Sequence, residues 1–157
     1  MKTGQSLFEV IFAVAIVALL LTGVVALTTT SVRNSSFSRN TSLANGHAQE
    51  AVEWLREERD KDWDAFKNRA RVSTEWCLRS LTWSSPSFSS SCDTSDYLGS
   101  TIFIRDLTFT CYRDGPPSIS CSNSSVNNIE GLVVVSWTDA QGTHDVRVTT
   151  RLTNWIK

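Results

Sequence analysis

An uncharged apolar run from Val10 to Leu27, with one carboxylate, Glu9, at its N-terminal lip, constrains this chain more than any other feature. At about 1.5 Å per residue a helix over this run reaches roughly 27 Å, close to the ~30 Å hydrocarbon thickness of a bilayer. The run is therefore a membrane-spanning candidate. A carboxylate driven to the centre of such a helix costs about 2.5–3.5 kcal/mol, and less near the interface. Glu9 is poorly placed in an ordinary anchor unless something pairs with it.

The residues around it form a pattern. A short basic leader, Lys2-Thr3-Gly4, ends in glycine, Glu9 stands five residues beyond that glycine, and the apolar helix follows at once. This resembles the N-terminus of the type IV pilin-like family, which includes minor pilins and type II secretion pseudopilins. The resemblance implies cleavage by a prepilin peptidase between Gly4 and Gln5, methylation of the new terminus, and an assembly role for Glu9 as partner of a neighbouring subunit's terminal amine. Gln5 stands where the family most often has Phe, a departure that bears on methylation rather than on cleavage. The segment Ser6-Leu7-Phe8-Glu9-Val10 looks more like minor than major pilins. Two rivals use less of the pattern. A Sec signal peptide has a tolerable cleavage site at Val24-Val25-Ala26, but its apolar core should be 7–15 residues and should not open on an acid. A plain single-pass anchor explains the length and leaves Gly4 and Glu9 as coincidences.

The chain has 157 residues, room for one anchor and one modest soluble domain. Lys and Arg number 15 against 16 Asp and Glu, and they are interspersed, so no basic footprint for nucleic acid is present. Lys2 before the run and Arg33 after it leave orientation undecided by charge. The four cysteines, Cys77, Cys92, Cys111 and Cys121, all lie beyond the run, and an even number in a small exported domain reads as disulfides outside the cytoplasm. Their intervals of fourteen, eighteen and nine residues do not match the short spacing of a zinc site. Three pairings are open, and the sequential one is favoured because each bridge would close a short loop with little else to hold it.

The expected fold class is α+β: a long N-terminal helix, with a membrane half and a soluble half, packed on a small antiparallel β-sheet. The expected organisation is a leader over 1–4, a transmembrane and assembly helix over 5–33, and an extracytoplasmic domain over 34–157. Within that domain the helix continues over 34–70, a Ser/Cys-rich loop fills 71–100, and the sheet occupies 101–157. Leu27, Phe37, Leu43, Ala44, Ala48, Ala51, Val52 and Leu55 suggest one buried helix stripe. Thr28 to Ser42 is its weak stretch, because Ser, Thr and Asn compete for backbone hydrogen bonds. Trp54, Trp63 and Phe66 are expected in the core. Thr101–Ile104 and Leu107–Cys111 read as one or two strands, Asp114–Pro117 as a turn, and Gly131–Thr138 with His144–Leu152 as a hairpin whose Val146, Val148, Thr150 and Leu152 face inward.

No catalytic constellation, phosphate loop or cofactor motif is legible, so the chain does not read as an enzyme and no cofactor or metal is expected. His47 and His144 stand apart as surface or hydrogen-bonded residues. Asp93 and Asp96 in a Ser-rich loop are a poor match for a dedicated calcium loop, and the Asn-x-Ser/Thr triplets at Asn34, Asn40 and Asn123 fit chance in a Ser-rich chain. The resemblance implies a structural minor pilin or pseudopilin with other pilin subunits, prepilin peptidase, an inner-membrane assembly platform and, before assembly, membrane lipid as partners. Its place would be the inner membrane and then a filament. A membrane-tethered or tip-located binding module is the alternative reading.

Overall fold

The computed structural model of the chain describes residues 7–72, 75–83, 92–123 and 125–154. Two helices, α1 (Leu7–Lys61) and α2 (Trp63–Val72), precede a sheet of four strands: β1 (Glu75–Cys77), β2 (Phe103–Tyr112), β3 (Asn128–Asp139) and β4 (Gly142–Thr153). The strands run β1-β2-β3-β4, each antiparallel to the next. The class is α+β, a long N-terminal helix with an antiparallel sheet packed on its later turns. The chain divides into two compact units, one up to Asn40 and one from Thr41.

In the first unit every described side chain from Leu7 to Arg39 is exposed, and the best 18-residue window of α1 has a mean hydropathy of 3.0. This helix is long and apolar enough to cross a membrane. The threonine-rich stretch that follows stays helical. Thr28, Thr29 and Thr30 donate their hydroxyls to the carbonyls of Val24, Val25 and Ala26 at 2.8, 2.9 and 3.0 Å, so the groups that could compete with the helix bond back onto it.

In the second unit α1 lays Ala44, Ala48, Ala51, Val52 and Leu55 on the sheet, all buried. Gly131 of β3 faces this contact, where a Cβ would meet Leu107 Cδ1 at 3.4 Å and Leu55 Cδ1 at 3.5 Å, ordinary van der Waals distances. The expected stripe is shorter than its periodicity suggested. Leu27, Phe37 and Leu43 are exposed, because the sheet meets α1 only from Ala44 onward.

Two elements depart from the expected organisation. The helical continuation to residue 70 is broken at Asp62, whose Oδ1 accepts from Ala65 N at 3.0 Å and so caps a separate helix, α2. The 71–100 segment is not wholly loop: Glu75–Cys77 forms edge strand β1, Glu75 opposite Thr108 and Cys77 opposite Asp106. Three residues are too few to show an alternating pattern.

Strand β2 is one continuous element, and its polar Arg105-Asp106 pair is what divided the pattern in the sequence. The β3–β4 hairpin turns at Ala140-Gln141, where Gly142 has φ +127° and Gln141 N donates to Asp139 Oδ1 at 2.8 Å. The inward and outward residues of β4 alternate as its sequence indicates, with Thr150 and Leu152 buried and Arg147, Thr149 and Arg151 exposed.

Candidate functional site

Glu9 lies in the first turns of α1, exposed, beside an apolar furrow formed by Phe8, Phe12, Ala13 and Ile16. The rings of Phe8 and Phe12 stack one helical turn apart, their centroids separated by 6.2 Å. Gly4 and Gln5 lie outside the described residues. What this surface presents is an exposed apolar helix with a single acid near one end.

The four cysteines form the sequential pairs. Cys77 joins Cys92 across the loop after β1, and Cys111 joins Cys121, folding the segment after β2 back so that Ile119 N donates to Cys111 O at 2.8 Å. The sulfurs of Cys77 and Cys92 and a carboxylate oxygen of Asp96 gather within 4.8 Å, but both sulfurs are committed to the disulfide and offer no thiolate to a metal. Asp93 and Asp96 spend their carboxylates on a short 3-10 turn: Asp93 Oδ1 accepts from Ser95 N at 2.7 Å and Asp96 Oδ2 from Asp93 N at 3.2 Å.

Three side chains unnoticed in the sequence organise this unit. Arg105 points inward from β2 and is 3% exposed, donating from Nε to Leu78 O at 3.2 Å and from Nη1 to His47 O at 3.0 Å and Glu50 Oε2 at 3.2 Å. Burial pulls its pKa below the ordinary arginine value while Glu50 pushes the other way. Asp106, on the opposite face, is pushed up to about 6 by burial and then by the neighbouring Glu75 charge, and its Oδ1 accepts no hydrogen bond among the described residues. Trp83 inserts into a nest of rings, 4.6 Å from Trp54 and 5.1 Å from Trp76, and donates its Nε1–H to Glu58. Burial pushes Glu58 up, but the donors Lys61 and Trp83 outweigh it and hold the carboxyl below its usual value.

No family model, curated protein or solved structure matches this chain. His144 donates from Nε2 to Asp139 Oδ1 at 3.0 Å in the hairpin turn, and the His47 ring packs 5.4 Å from Phe103. Both histidines thus have structural occupations. Asn123 turns its side-chain oxygen to Ser125 N at 3.0 Å.

At the break between the helices lies a cleft that combines an aromatic ring with several polar groups. It has a volume of about 470 Å³ and is lined by residues 59–63 together with Thr153 and Asn154 at the end of β4. Asp62, where α1 gives way to α2, is part of this lining, beside the end of β4. The signal for it in the sequence was the Asp62-Trp63-Asp64 triplet, a cap followed by a first turn.

Proposed function

We propose that the chain is a structural minor subunit, a minor pilin or pseudopilin, of a type IV pilus-like filament. It would be held in the inner membrane by α1 with its disulfide-bonded domain outside, and then assembled with other pilin subunits after prepilin peptidase cuts between Gly4 and Gln5. The observation that carries this reading is Glu9 at the lip of an exposed helix that is otherwise uncharged from Val10 to Leu27. An isolated acid there is unfavourable in lipid, and pairing with a neighbour's terminal amine removes the penalty as the apolar surfaces exchange lipid for helices. Two disulfides suit an oxidising compartment.

Glu9→Ala separates residence from assembly. It removes a charge from the bilayer, so membrane fractions should keep the protein at parent level. The neighbour's amine is left uncompensated, and breaking one side of a buried pair costs about 3–5 kcal/mol, so sheared filaments should lose it. Normal incorporation at matched expression would remove the role assigned to Glu9.

A further inference from the structure

The cleft at the helix break has the makings of a ligand site, and its charges narrow what the ligand can be. Arg59 is paired with Asp60 at 2.7 Å, Lys61 with Glu57 and Glu58 at 3.0 Å each, and Asp62 is engaged by the first turn of α2. Every charge on the rim thus has an intramolecular partner, which leaves little uncompensated field to hold an ion. The uncommitted groups are neutral. The Thr153 hydroxyl and the Asn154 side-chain amide hold no hydrogen bond among the described residues, and they stand at the same cleft as Trp63, whose ring is half-buried.

A neutral donor and acceptor set beside an indole is complementary to a molecule with vicinal hydroxyls on one edge and an apolar C–H face on the other. The volume of about 470 Å³ lies in the range of small-molecule sites and admits one or two sugar rings. We propose that this cleft binds a neutral saccharide, with Trp63 stacking on the ring and Asn154 and Thr153 taking adjacent hydroxyls. The proposal does not rest on the filament reading; it applies equally to an anchored domain.

The test uses the full chain, indole-labelled with nitrogen-15, in a detergent without a sugar headgroup. Cellobiose and N,N′-diacetylchitobiose are the neutral probes, and a sulfated heparin disaccharide is the charged comparison. The expected result is a saturable shift of the Trp63 indole resonance at millimolar neutral saccharide, with the sulfated probe at least about tenfold weaker. Asn154→Ala, an exposed position, should keep the parent melting temperature and weaken binding by about tenfold, the effect of removing one well-made hydrogen-bonding group. Trp63→Ala would remove the reporting indole itself and its packing on the core, so the Asn154 variant is the deciding one. No saturable shift with either neutral probe, tighter capture of the sulfated one, or full binding by a folded Asn154→Ala protein would each overturn the proposal.

Discussion

Arg105 provides the sharpest test of how the second unit is held together. Its side chain is 3% exposed, whereas the Glu50 side chain it meets is 56% exposed. An ion pair with one partner in water contributes about 0–1 kcal/mol. The carbonyls of Leu78 and His47, bonded at 3.2 and 3.0 Å, are the more sheltered partners, and charged hydrogen bonds of this kind contribute about 1.5–3 kcal/mol each before the desolvation of the guanidinium is set against them. Truncation also leaves a void that the β2 strand and α1 cannot fully close. Arg105→Ala should therefore destabilise the unit by about 3 kcal/mol, a drop of roughly 10 °C in melting temperature for a domain of this size. Arg105→Met, which refills the volume and removes the desolvation cost, should lose about half as much. Glu50→Gln should cost under about 1 kcal/mol. All six tryptophans lie beyond residue 40, so near-ultraviolet circular dichroism of the full chain in detergent reports on this unit. Glu50→Gln as damaging as Arg105→Ala would refute the argument, because it would make the exposed ion pair, not the buried bonds and packing, the source of the stability.

Asp106 should make the unit less stable as pH rises. Its folded pKa, about 6, lies above the unfolded value of about 4, so its contribution is complete below pH 4 and is lost as pH passes through 6. After discounting for its partial exposure, Asp106→Asn should exceed the parent by roughly 1–2 kcal/mol at pH 7.5 and match it near pH 4; a pH-independent difference in melting would contradict this. Replacing Cys111 and Cys121 together by Ser should cost roughly 2.5–3 kcal/mol in the chain-entropy model, read by the same spectroscopic melt, and an unchanged melt would show that the Ile119 return is held without the bridge. Asp62→Ala should cost about 1 kcal/mol by uncapping α2, while Asp62→Asn or Asp62→Ser should restore most of it; equal loss in all three would argue against capping. Intact-mass and terminal-peptide spectra of filament-borne protein should show a terminus at Gln5 carrying a methylated amine. A ring formed there by loss of ammonia would remove the charge that Glu9 is proposed to meet.

What the sequence determined by itself is whatever depends on spacing along the chain. The apolar run of Val10–Leu27, the β3–β4 hairpin with its alternating Val146, Val148, Thr150 and Leu152, the core placement of Trp54 and Phe66, and the α+β class all follow from one-dimensional period and turn chemistry. The rest depends on which surfaces meet. Only the tertiary structure ended the buried stripe at Ala44, since periodicity records that a face is apolar and not where a partner sheet begins. It alone made a strand of Glu75–Cys77, which is held by its register with β2 and a disulfide rather than by propensity. The same holds for Arg105, a charge at an inward strand position that is tolerable because the carbonyls of His47 and Leu78, distant in the chain, converge on it. Asp62 was visible as a residue and not as a boundary: its carboxylate ends one helix and starts another, and the cleft exists because β4 finishes beside that break.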